Sequence, residues 1–186
     1  MGIRELFRLI GSDYNRLFEY YHLRRSFFNT LKIILTTSST AVVLYRLTRF
    51  FYLNKLVFIA RLFYLLNILF TGAELLPQAD IGEGFFLNHT VATVITCKVG
   101  RNCTVLGQAG LGGDPTNSND VGAGPGLAVI KDNVTIGFGA KVLGPVVIGN
   151  NVTILAGSLV VKSVPDGVTV GGVPARKIIH VKRQVE

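Results

Sequence analysis

An aliphatic residue returns every six positions through most of this chain. It stands at Leu75, Ile81, Leu87, Val99, Val105 and Leu111, with Thr93 as a weak member, and again at Ile130, Ile136, Val142, Ile148, Ile154 and Val160. Two positions earlier the residue is mostly small or β-branched: Ala79, Val91, Cys97, Cys103 and Ala109, then Ala128, Val134, Ala140, Val146, Val152 and Ser158; only Phe85 is large. Glycine often follows the aliphatic, as at Gly82, Gly100, Gly112, Gly137 and Gly149.

A period of six is neither the 3.6 of an amphipathic helix nor the alternation of an ordinary strand. Hexad repeats signal a parallel β-helix, in which each hexad is a short strand and a turn. The aliphatic and the small residue before it face inward, and Gly and Asn supply the corner backbone. One repeat cannot bury its inner face alone, so stacked turns share a continuous core.

The pattern lapses between Leu111 and Ile130, which are 19 residues apart, one more than three hexads. The intervening Gly, Pro, Asn and Asp residues predict a loop over 112–128. It lacks the Gly-Lys-Ser/Thr of a phosphate-binding loop. The boundaries drawn from the sequence are a helical segment over 1–72, a β-helix over 73–178 with that loop, and a short tail over 179–186.

The net charge of +8 is uneven. Residues 1–72 hold ten Lys/Arg and three Asp/Glu, whereas residues 73–186 hold nine and eight. A basic segment suits anionic lipid, nucleic acid or an acidic partner; no nucleic-acid-binding motif is present, so no nucleic-acid partner is expected. Cys97 and Cys103 occupy inward positions of consecutive hexads and read as buried apolar thiols rather than a disulfide or metal pair. No ligand spacing implies a metal. Met1 to Ile10 alternates charge with apolar residues and has no h-region, so the cytoplasm is the default expectation.

Residues 3–28 read as helical, with Ser12 or Asp13 as a cap, and 37–40 as a break with a second capping site. Two further helices are predicted over 41–53 and 55–70. Arg46, Arg49, Lys55 and Arg61 interrupt their apolar run, which argues against a transmembrane helix. Two readings of this apolar surface stay open: packing against the β-helix or a neighbouring subunit, or a peripheral contact with a membrane through residues 1–72.

The hexads, with the closing Gly171-Gly-Val-Pro-Ala-Arg176, resemble the left-handed β-helix of hexapeptide acyltransferases over about residue 40 to 178. The similar members are serine acetyltransferases and sugar O-acetyltransferases of capsule and exopolysaccharide synthesis. The segment Ala41–Leu47 resembles the helix before the β-helix in serine acetyltransferases. The resemblance implies a mainly β fold whose triangular turns stack residues 18 apart. It also implies acetyl-CoA as acyl donor and a homotrimer with sites between neighbouring β-helices.

Acetyl transfer from a thioester to a hydroxyl requires a base, and histidine titrates near neutrality. Of His22, His89 and His180, only His89 lies inside the repeat; on spacing alone, a lone histidine is more often structural than catalytic. The resemblance implies His89 as general base. It further implies Glu74, 15 positions earlier, as the acid that holds its tautomer. Asn88 stands where serine acetyltransferases carry Asp, and Thr90–Ile95 replaces a glycine-rich stretch. Gly126 and Leu127 stand where those enzymes have an Arg-His pair at the end of the loop. Phe138, Ala156 and Pro174, each 18 apart, are expected to stack as a column beside the pantetheine arm. Val161, Lys162 and Arg176 match positions near CoA, whose phosphates suit cations.

The leading expectation is an acetyl-CoA-dependent O-acetyltransferase acting on a sugar hydroxyl of a capsule, exopolysaccharide or lipid-linked glycan. Serine O-acetylation is the alternative. A scaffold without enzymatic activity is the third reading.

Overall fold

The structure is a computed structural model that describes residues 1–178; the tail 179–186, with His180, lies outside the described residues. Four helices come first: α1 (Ile3–Tyr20), α2 (Phe27–Ile34), α3 (Thr37–Leu53) and α4 (Val57–Thr71). The boundaries correct the sequence reading. Ser12 and Asp13 lie inside α1, and α2 is a separate helix capped by Ser26, whose side chain accepts from Asn29 N. The break falls at Leu35–Thr36, because the Thr36 hydroxyl accepts from Ser39 N and starts α3 four residues earlier than expected. Gly72, left-handed at φ +68°, ends α4.

A parallel β-helix of five turns follows. The turns hold β1 (Ala73–Leu75), β2 (Asp80–Ile81) and β3 (Phe86–Asn88); β4 (Thr93–Ile95), β5 (Lys98–Val99) and β6 (Thr104–Leu106); β7 (Gly110–Leu111), β8 (Val129–Ile130) and β9 (Thr135–Ile136); β10 (Lys141–Val142), β11 (Val147–Ile148) and β12 (Thr153–Ile154); then β13 (Leu159–Val160) and β14 (Thr169–Gly171). These stack into three sheets, and β15 (Arg176–Lys177) closes the third, antiparallel to β14. The inward aliphatics and most of the small residues before them, Phe85 and both cysteines included, form one core; Val91 is the exception to the inward pattern, exposed in the corner between β3 and β4. Both thiols are free, and burial pushes Cys97 up to about 12 and Cys103 to about 11.

The register is not a uniform 18. Ala73 pairs with Thr93 and Leu75 with Ile95, 20 residues on, whereas Ile95 pairs with Leu111, 16 on. Ile95 therefore takes the inward place that the hexad count assigned to Thr93. The corner between β3 and β4 has gained two residues and the next corner has lost two. The last turn is also short, because Thr153 pairs with Thr169 and Ile154 with Val170. Phe138 and Ala156 keep the expected 18-residue relation, but Ala156 aligns with Gly172, so the expected column does not extend to Pro174.

α3 seats the helical segment on the first turn. Ala41, Val42 and Tyr45 join the β-helix core. The Tyr45 hydroxyl donates to Ala79 O at 2.6 Å and accepts from Ile81 N. Arg46, fully buried, binds Asp13 of α1 through Nε at 2.8 Å and Nη2 at 3.0 Å, and donates to Ile81 O and Gly82 O. Asp13 Oδ1 also accepts from Phe85 N. One ion pair thus joins two helices to the β-helix, and the packing reading holds for α3. Among the described residues no single helix is long and apolar enough to cross a membrane; α2 and α3 together would be, but they meet at 72°.

Candidate active site

His89 sits in the enlarged corner between β3 and β4. It has a left-handed backbone, φ +55°, and Ala92 three residues later repeats this at +57°. Asn102, Gln108, Asn133 and Asn151 take the same left-handed conformation at other corners, so this is the corner backbone of the β-helix. The Asn88 side chain accepts from His89 N at 3.1 Å. The end of α4 clamps the corner from outside: Thr90 Oγ1 donates to Thr71 O at 2.6 Å, and Ala92 N donates to Gly72 O at 3.0 Å. The extra pair of residues lifts His89 onto the surface, where its side chain is exposed.

The imidazole lines an open cleft of about 710 Å³. Leu69, Phe70 and Gly72 from the end of α4, Thr37 from the start of α3, and Val91, Gln108 and Phe138 from the β-helix complete its wall. The Phe138 ring stands edge-on to the imidazole, centroids 6.4 Å apart and planes at 76°. The cleft offers a histidine beside apolar side chains, with Gln108, Thr37, Thr71 and Thr90 as polar neighbours. That is the composition of a site that binds a small ligand and moves one proton.

Three comparisons bear on its identity. The sequence profile described as bacterial transferase hexapeptide (six repeats) matches residues 127–162. A serine acetyltransferase of Bacillus subtilis (strain 168) is 37% identical over 182 residues, covering 96% of this chain and 80% of that protein; one of Bacillus pumilus (strain SAFR-032) is 35% identical with the same coverage. The crystal structure of serine acetyltransferase from Brucella abortus strain S19 superimposes with TM-score 0.81 at 29% identity, over 94% of this chain and 69% of that one.

The chain belongs to the hexapeptide-repeat transferases. It is an acyltransferase, its β-helix is the left-handed one of that family, and the scaffold reading is set aside.

In this hexapeptide-repeat transferase the residues singled out by sequence are spread over several places. His89 and Phe138 share the cleft. Glu74, on β1, is half-buried, and its Oε1 accepts from the Tyr64 hydroxyl at 2.6 Å. Burial and that carboxylate push the Tyr64 phenol up to about 12, so it stays a donor. Val161 lines a different cleft of about 570 Å³, formed with Leu143, Pro145 and the start of the loop. Ala156, Lys162 and Arg176 lie exposed on later turns. The loop runs between β7 and β8. Gly126 N donates to Asn119 O at 2.7 Å, and Gly126 O accepts from Asp114 N at 3.0 Å. A β-carbon on Gly126 would lie 2.4 Å from Asp114 O, so no side chain fits there.

Sequence reasoning missed Gln108, Val91, Thr37 and the end of α4 as walls of the cleft. The eight-residue gap from Leu87 to Ile95 was the available signal. Among the described residues no group of three or more His, Cys, Asp or Glu side chains is arranged to hold a metal.

Proposed function

We propose that this protein is an acetyl-CoA-dependent serine O-acetyltransferase with His89 as general base. The observation that carries the acceptor assignment is similarity to serine acetyltransferases along nearly the whole chain. Related support comes from a serine acetyltransferase of Neisseria gonorrhoeae solved in complex with serine, 27% identical with TM-score 0.81, and from the Brucella abortus enzyme solved in complex with coenzyme A, 28% identical with the same score. In the reaction, His89 takes the serine hydroxyl proton as the oxygen attacks the thioester carbonyl. The tetrahedral adduct collapses with cleavage of the C–S bond, and the imidazolium returns its proton to the leaving thiolate. No covalent enzyme intermediate is needed.

Glu74 is assigned as the carboxylate that holds the His89 tautomer. Tyr64 engages Oε1, which leaves Oε2 available to an imidazole. Val161, Lys162 and Arg176 are assigned to the CoA side, and Phe138 to the boundary between donor and acceptor. The working unit is proposed to be a homotrimer, with the cleft completed by a neighbouring β-helix.

A specific feature favours a sugar hydroxyl as the second reading. Serine's carboxylate needs a cationic grip, and the loop presents Gly126 and Leu127 at the positions matched to the Arg-His pair. Thiol release from acetyl-CoA, measured with L-serine and with a panel of simple and nucleotide sugars, decides between them. Release with serine alone supports the first reading; release with a sugar and none with serine replaces it with the second. A His89→Ala protein that retained turnover would remove both.

A further inference from the structure

α4 is amphipathic in the inverse sense. Its buried residues are Ala60, Tyr64, Asn67 and Thr71, the spacing of one helical face. Phe58, Leu62, Leu65 and Leu69 form the opposite face, with Phe58 87% and Leu69 75% exposed. A helix that faces water turns its apolar stripe inward. Here polar bonds to other elements hold the opposite rotation: Tyr64 to Glu74, and Asn67 Nδ2 to Ala41 O at 3.0 Å. Rolling α4 to bury its leucines would break both.

α2 presents a second apolar row. Phe27, Phe28 and Leu35, just past its end, are each about three-quarters exposed. α2 ends three residues before Thr37, which shares the cleft wall with Leu69 and Phe70.

Charge selects the occupant of this surface. Between Glu19 and Glu74 the sequence has no acidic residue and seven basic ones. Arg46 and Arg49 turn inward to Asp13 and Asp80. Arg24, Arg25, Lys32, Lys55 and Arg61 are exposed, and among the described residues none of them forms an ion pair. A second copy docked two-fold through the same face would set these cations against their own equivalents, with no acid between them. An array of phosphate headgroups over an acyl layer matches both the charge and the apolar rows, with long basic side chains reaching outward to the phosphates.

We propose that α2 and α4 rest on the surface of an anionic lipid bilayer, their aromatic and leucine rows in the acyl boundary and Arg24, Lys32, Lys55 and Arg61 among the headgroups. The proposal is independent of which hydroxyl the enzyme acetylates.

Flotation of the full-length protein with phosphatidylcholine vesicles, with and without phosphatidylglycerol, tests it. The protein is expected to float with the anionic vesicles and to be released by salt. Phe58→Ser with Leu62→Ser should weaken binding at least about tenfold. Lys55→Gln and Arg61→Gln should each weaken it by roughly fivefold. Thiol release with a soluble acceptor should be unchanged in the Phe58→Ser/Leu62→Ser protein, which shows that the fold is retained. Failure of folded wild-type protein to float with anionic vesicles overturns the proposal. So does equal flotation of wild type and variants. Loss of oligomer mass in the serine variant, with no flotation of wild type, gives the face to a second copy instead.

Discussion

A β-carbon on Gly107 would lie 1.8 Å from the carbonyl oxygen of His89. The backbone of the second turn is therefore pressed against the corner that carries the imidazole. No larger residue fits at position 107 unless that corner moves, so the geometry of His89 depends on a residue eighteen positions away.

Gly107→Ala should displace the corner, lower stability by about 1–3 kcal/mol and reduce kcat. Gly110→Ala is the control. Its added carbon would meet Lys141 Cδ at 2.7 Å, on a flexible side chain that can swing aside. Thermal melts and turnover of the two variants should diverge; equal behaviour would mean that the contact has no special role.

His89→Asn separates strain from chemistry. Asparagine tolerates the left-handed region better than other non-glycine residues, so the melting temperature should hold or rise. Turnover should fall by about 10²–10⁴ if the imidazole is the general base. A comparable rate in the variant would assign the proton transfer elsewhere.

Arg46→Met should destabilise by roughly 3–5 kcal/mol, because it leaves Asp13 buried without its partner. Adding Asp13→Asn should recover part of that loss, since an amide oxygen can still accept from Phe85 N. Denaturant midpoints of the single and double variants measure the coupling.

Acid should weaken the fold at the corners of the β-helix. Bonds from the Arg101 side chain and backbone hold the Asp132 carboxyl below its usual range, and bonds from the Asn150 side chain and backbone do the same for Asp166. A carboxyl depressed in the folded state contributes stability above its unfolded value, near 3.9, and loses it as pH falls through the folded value. Melting temperature should therefore drop as pH is lowered below about 4. Asp166→Asn should flatten part of that drop; an unchanged slope would show that the Asn150 bonds contribute nothing to it.

Much of this was legible in the residues. The aliphatic at every sixth position, from Leu75 onward, specified a β-helix because each hexad repeats the same local requirement. The break at 112–128 was marked by its turn-forming residues. His89 stood out as the repeat's one histidine. Thr93 was misread because spacing alone cannot tell which corner has absorbed two residues; that is decided by the pairing of Leu75 with Ile95 and of Ile95 with Leu111. The last turn misled for the same reason, and Pro174 left its column.

Periodicity carries the fold because every inward residue obeys one rule that is visible along the chain. Contacts between distant segments obey no such rule. Asp13 and Arg46, 33 residues apart, looked like a helix cap and a charge interrupting an apolar run until burial joined them. The composition of α4 announced an apolar helix but not its rotation, which Tyr64 and Asn67 set through bonds to Glu74 and Ala41. The cleft came from the same source, since α3, α4 and three turns of the β-helix meet around His89 only once the chain has folded.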